Sequence, residues 1–250
     1  MRRKPKSPPI PESLYHTTLS ITSPPHSSSG GSTRSSYILG THTDLPSARS
    51  FALSCLESSL NYHPSDFKEF TTRLSFEPSD QDTEWPYGDN SLVYAVTRAN
   101  QEFLVGLETK PNFASLRSGG PNSTPLLPEN SSCDHLHYVL QTTTHYDQAT
   151  GTDPERDAFQ TTEIEGCYIP RSEALDAARR ALRQENENGM FTQYDERDDD
   201  GIGEHKDGWP FGEDVVVHAV GQMGENYEVA VRTVPGTKRR RSKVVFEEGS

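Results

Sequence analysis

The sequence predicts an α+β protein built from two copies of a βαβββ unit, and three observations carry that prediction. First, residues 85–111 (WPYGDNSLVYAVTRANQEFLVGLETKP) align without a gap on residues 209–235 (WPFGEDVVVHAVGQMGENYEVAVRTVP) at a constant offset of 124. Nine of the 27 aligned positions are identical, among them Trp85/Trp209, Gly88/Gly212 and Val105/Val229, and self-similarity of this kind is the mark of a repeated architecture. Second, Ala48, Ala52, Leu56 and Ala174, Ala178, Leu182 precede the two blocks at the four-residue spacing of a helix face. Third, β-branched and aromatic runs at 37–44 and 138–147 lead into the helices and read as strands.

The elements follow in order. Asp44 is placed to cap the first helix, with Pro46 in its first turn, and Asn188-Gly189 supplies a stop after the second. The match at offset 124 extends upstream through Phe67/Phe191, Phe70/Tyr194 and Arg73/Arg197, which predicts a strand in each copy. After the Trp-Pro-aromatic-Gly loop come two more strands joined by a tight turn. Phe103, Val105, Leu107 and their counterparts Tyr227, Val229, Val231 alternate at period two and are expected to face the helix. The resulting order resembles the cystatin and monellin roll, a curled antiparallel sheet around one helix. The resemblance concerns topology alone, since the Gln-x-Val-x-Gly inhibitory loop of cystatins is absent, and topology does not carry function. The outer face carries Glu228 and Arg232 in the second copy but Leu104 and Gly106 in the first. The copies are therefore expected to cover one another as a pseudo-twofold pair.

Five segments result: a Ser/Pro-rich basic N-terminus (1–36) expected to be disordered, the first repeat (37–111), a linker (112–134), the second repeat (135–235) with an inserted hairpin (148–167), and a basic tail (236–250). The apolar fraction of 31% is low for a fully folded chain of 250 residues, in keeping with disordered ends. No run of residues is long and apolar enough for a membrane span, and no apolar signal follows the N-terminal Arg2-Arg3-Lys4. Three scattered cysteines suit a reducing compartment.

Charge is unevenly distributed. Residues 1–36 sum to +4 and residues 236–250 to +3, so the part between carries −20 of the total −13. An acidic body repels a phosphate backbone, which argues against nucleic-acid binding by the folded part. The run Lys238, Arg239, Arg240, Arg241, Lys243 has the pattern of a nuclear import signal, placing the protein in the nucleus or cytoplasm.

Candidate sites are few. The fold needs Trp85 and Trp209 in both copies, so they are read first as packing residues and second as ligand contacts. Cys133, His135 and His137 alternate along one strand and form a soft-donor set for a transition metal, although the spacing matches no regular metal motif. Glu163 and Glu165 are expected on one face of the inserted strand with His145 opposite, as a ligand or partner site. The acidic loop 195–204 imitates part of a calcium loop but lacks its apolar position. No nucleophile elbow, Walker loop, GxGxxG or His-Glu-x-x-His occurs. The expectation is a non-enzymatic interaction or regulatory protein with a protein partner and no cofactor. The alternative is a small-molecule-binding protein or metal-assisted enzyme with its site in the second repeat.

Overall fold

The computed structural model describes residues 8–24, 33–73, 85–119, 121–128, 135–146, 158–197 and 209–235. The first half runs β1 (Ser13–Ser23), β2 (Thr33–His42), α1 (Leu45–Ser58), β3 (Phe67–Thr72), β4 (Ser91–Thr97) and β5 (Glu102–Pro111). Two short strands follow, β6 (Arg117–Ser118) and β7 (Pro125–Leu126). The second half runs β8 (His135–Tyr146), β9 (Ala158–Tyr168), α2 (Arg171–Ala181), α3 (Arg183–Glu187), β10 (Phe191–Glu196), β11 (Val215–Gly221) and β12 (Asn226–Pro235).

This corrects the α+β, cystatin-roll-like class expected from the sequence. The described residues are mostly β, with 51% of them in strands, 20% in helices, and three antiparallel sheets. Each half is ββαβββ rather than βαβββ, with strand order β2-β1-β5-β4-β3 in the first sheet and β9-β8-β12-β11-β10 in the second. The extra strand of the first half, β1, is the segment SLYHTTLSITS, inside the stretch read as a disordered terminus. Its Ser and Thr residues look like a linker by composition, but hydroxyl side chains also suit a half-buried pleat. In the second half β9, read as part of an insertion, is the counterpart of β2. The runs at 37–44 and 138–147 are therefore not equivalent: β1 corresponds to β8, and β2 to β9.

The duplication extends to irregularities. Register shifts fall at Phe67/Glu69 and Phe191/Gln193, at Ser91/Val93 and Val215/Val217, and at Thr17/Thr18 and Val139/Leu140. Each bulge inserts a residue and bends its strand, so shared bulges give both sheets the same local distortion.

Each helix covers one face of its own sheet. In α1 the Asp44 carboxylate accepts the Ser47 N–H at 2.8 Å, and Ala48, Ala52, Cys55 and Leu56 are buried. They pack against Val93, Phe103 and Val105. In α2 Ala174, Leu175 and Ala178 meet Val139, Val217 and Val229. The alanines let the helix approach closely, while burial of Leu56 or Leu182 supplies about 1.5–3 kcal/mol each.

The opposite faces of the two sheets meet each other. Leu14, Leu116, Leu136, Tyr138, Ile164 and Cys167 form a third core drawn from both halves. The segment joining the halves takes part in this packing: Leu116 is 1% exposed, and Asn112 donates to Pro11 O and Leu116 O at 2.8 and 2.9 Å. The layers are helix, sheet, sheet, helix. Among the described residues, no helix is long and apolar enough to cross a membrane.

Candidate functional site

Along β1 the residues facing the other sheet are Leu14, His16, Thr18 and Ser20, and along β8 they are Leu136, Tyr138, Leu140 and Thr142. Both strands thus change from large buried side chains to small hydroxylated ones. Where the large side chains stand, the sheets pack. Where the hydroxyls stand, they leave space.

That space is a cleft with two mouths. One, of about 520 Å³, opens beneath the Tyr87–Ser91 turn and is lined by Thr18, Ser20, Gly106, Glu108 and Lys110. The other, of about 440 Å³, lies between β2 and the second sheet, with Ser36, Ile38, Leu140, Thr142 and Arg232 on its walls. A waist of about 30 Å³, close to the volume of one water molecule, shares Thr18, Ser20 and Glu108 with the first mouth and Ser36, Ile38 and Leu140 with the second. Arg34 and Thr162 line both mouths.

The polar groups here are held in place. Ser20 and Ser36 hydroxyls lie 3.2 Å apart and those of Thr142 and Thr162 3.1 Å apart, one pair in each half. Glu108 Oε2 accepts the Ile164 N–H at 3.0 Å, beside the bulge of β9. Burial pushes the Glu108 carboxyl above its ordinary range, against the pull of that N–H and of Lys110. Arg34 Nη1 donates to the Gln160 carbonyl of β9 at 3.2 Å, while its Nε is buried with no hydrogen-bond partner. Burial also lowers the Arg34 pKa, with Glu102 acting in the opposite sense.

Deeper in the same interface, His16 Nδ1 lies 2.9 Å from Thr41 Oγ1, which is 2.7 Å from the Tyr138 hydroxyl. The Cys167 thiol lies beside Tyr138, and burial pushes it up to about 12. A neutral thiol at that depth is a packing group and not a nucleophile.

The other residues singled out by sequence are dispersed. His137 is 7% exposed, pairs through Nδ1 with Thr233 Oγ1 at 2.9 Å, and is lowered in pKa chiefly by burial. His135, two residues earlier, is exposed, and Cys133 lies outside the described residues. Among the described residues, no three His, Cys, Asp or Glu side chains cluster as metal ligands would. Glu163 stands opposite Gln141. Glu165 is the bulged residue between the paired Ile164 and Gly166, which breaks the alternation that would put both carboxylates on one face. His145 pairs with Phe159, four positions from Glu163, or about 13 Å along the strand. Of the acidic loop, residues 198–204 lie outside the described residues, as does the run Lys238 to Lys243.

Trp85 and Trp209 belong to matching turns. Each makes an edge-on contact with the next aromatic, Tyr87 at 4.9 Å and Phe211 at 5.0 Å between ring centroids. Arg73 Nη1 donates to Asp89 O and Arg197 Nη1 to Glu213 O, both at 2.7 Å, tying each turn to its sheet. Gly88 and Gly212 have φ of 94° and 108°, where a side chain would be strained. These shared contacts hold the turns.

Sequence reasoning missed Arg34 and the hydroxyl faces of β1 and β2. A signal for them existed: the helix match at offset 126 continues upstream through Ile38/Ile164 and Gly40/Gly166, which would have aligned β2 with β9. Compared with known proteins, the chain matches no family model, no curated protein and no solved structure.

Proposed function

We propose that this chain is a non-enzymatic interaction and regulatory protein of two fused repeats, presenting the edge of β9 to a partner protein. The observation that carries this reading is that, among the described residues, β9 pairs with β8 alone and bears Phe159, 58% exposed, at its outer end. Tyr146 on β8 adds a second exposed aromatic nearby in the hairpin. Beyond the Gln160 carbonyl held by Arg34 and the Ile164 N–H held by Glu108, the outer end of this edge with its aromatic anchors is a surface onto which an extended segment adds as a further strand. The partner segment is basic, because residues 37–235 carry a formal charge of −20.

The test is affinity purification of the tagged full chain at physiological salt, beside the Phe159→Glu variant. A stoichiometric partner lost with Phe159→Glu supports the reading. A partner retained by the variant, or recovery of the protein alone, overturns it. The protein acts in the nucleus or cytoplasm, with Lys238, Arg239, Arg240, Arg241 and Lys243 as the import signal. Neutralising those five residues is expected to exclude it from the nucleus, and unchanged localisation removes that part of the proposal.

A second reading, a small-molecule-binding protein, is favoured by the cleft between the sheets. Binding sites are typically concave, of several hundred Å³, with a few convergent polar groups. The cleft has that size and lining, although it lies between the halves and not within the second repeat.

A further inference from the structure

The second mouth of the cleft combines three features: a row of hydroxyls, a guanidinium with an unmet buried donor, and an apolar floor. Ser36, Thr142 and Thr162 supply the hydroxyls, and Ile38, Leu140 and Val234 the floor. Each hydroxyl has one donor and two acceptor positions, so the Thr142–Thr162 and Ser20–Ser36 pairs leave capacity for further bonds. Arg34 uses Nη1 on the Gln160 carbonyl, while Nε is buried and unpartnered. A guanidinium that lines a cleft binds a carboxylate through charge-assisted N–H···O bonds.

Charge selects the ligand further. Of the charged side chains around this mouth, Arg34, Arg232 and Glu228, Arg232 is already paired with Asp214 at 2.8 Å, which leaves the Arg34 guanidinium to meet a ligand carboxylate. A single negative charge matches that one guanidinium, whereas a second would have Glu228 to face. The first mouth has Asp89, Glu108 and Glu163 against Arg34 and Lys110, and repels an anion.

We propose that the second mouth binds a small hydroxylated carboxylate, of the sugar-acid or hydroxy-acid class, with its carboxylate on the guanidinium of Arg34 and its hydroxyls on Ser36, Thr142 and Thr162. The proposal rests on the small-molecule reading above and gives it a ligand class and an orientation.

Calorimetry on the full chain with three probes tests it: gluconate, which has both features; glucose, which has hydroxyls without the charge; and acetate, which has the charge alone. Gluconate is expected to bind at about millimolar or tighter, with glucose and acetate at least about tenfold weaker. Arg34→Gln is expected to weaken gluconate by about tenfold or more and to leave glucose unchanged, the scale of one charge-assisted contact. Thr162→Val keeps the shape, removes one hydroxyl, and is expected to weaken gluconate and glucose alike. It decides the matter if the unfolding midpoint of Arg34→Gln reveals a misfolded protein. Equal affinity for gluconate and glucose, or gluconate binding indifferent to Arg34→Gln in a folded variant, overturns the proposal while the small-molecule reading survives. If none of the three binds at about 10 mM, both fall.

Discussion

His16 and Tyr138 occupy the same position in the two halves and touch each other. His16 stands opposite Glu108 on β5, Tyr138 stands opposite Arg232 on β12, and Glu108 and Arg232 are themselves 124 residues apart. Their rings meet edge to face, with centroids 5.7 Å apart and planes at 86°. A residue that contacts its own counterpart sits where the two sheets come closest, and everything placed there is shared by both halves.

The first prediction concerns pH. His16 is fully buried, and burial, with smaller contributions from Lys110 and His42, lowers its pKa from 6.5 to about 3. The folded state therefore keeps the imidazole neutral between these values, while the unfolded state takes up a proton below 6.5. Stability falls as pH drops through that window, by about 1.4 kcal/mol per pH unit from this group at most. Urea unfolding at several pH values checks this against His16→Gln, which should show a shallower acid slope. Equal slopes would mean that His16 is accessible to protons in the folded protein.

Thiol reactivity gives a second. Cys55 and Cys167 are buried, with pKa values pushed up by burial to about 11 and about 12. Both should resist a disulfide reagent in the native protein, which then titrates no more than one of the three cysteines. In denaturant all three should react. A second fast thiol in the native state would show that one of these cores opens.

The third compares the matching turns. In the first, Trp85 Nε1 donates to Ser91 Oγ at 2.7 Å, and the one proton of the Ser91 hydroxyl is shared between the Tyr87 and Gly88 carbonyls, each 2.8 Å away. In the second, the position of Ser91 is held by Val215, and Trp209 Nε1 is buried without a partner. Ser91→Val strands an indole N–H and should cost about 1–3 kcal/mol. Val215→Ser trades apolar burial for a hydrogen bond and should lie within about 0.5 kcal/mol of neutral. Equal effects in chemical denaturation would reject the hydrogen bond as the difference between the turns.

The fourth tests helix-to-sheet approach. A Cβ on Gly40 would come within 2.8 Å of the Phe51 ring of α1, and one on Gly166 within 2.8 Å of Tyr168. Gly40→Ala should destabilise by about 1–3 kcal/mol through overpacking, lowering the melting temperature by about 2–4 °C per kcal/mol. Scanning calorimetry measures it, and an unchanged melting temperature would show that α1 can withdraw from β2 at no cost.

How much of this was legible depends on where the signal lay. The hairpins β4–β5 and β11–β12, the helix faces and the Asp44 cap were readable because local spacing and local hydrogen bonding set them. The cleft was not. Thr18, Ser20 and Ser36 are the residues of a disordered N-terminus by composition, and they become a lining only because β1 and β2 are held in a sheet by the distant β5. Likewise Glu163, Glu165 and His145 looked convergent on an ideal strand, but the bulge at Glu165 parts the two carboxylates and the pairing register leaves His145 four positions from Glu163.

The sequence by itself determined that the chain is duplicated, which residues face each helix, and where the tight turns fall. These follow from periodicity and from residue identity at matched positions. Only the tertiary structure decided that the two sheets lie face to face, that large side chains close one end of their interface, and that Arg34 enters the other. The physical reason is that alternation along a strand says which residues share a face but not what covers that face. Small hydroxylated side chains suit solvent and a sheet interface equally well, so the choice is made by the packing of the large residues next to them.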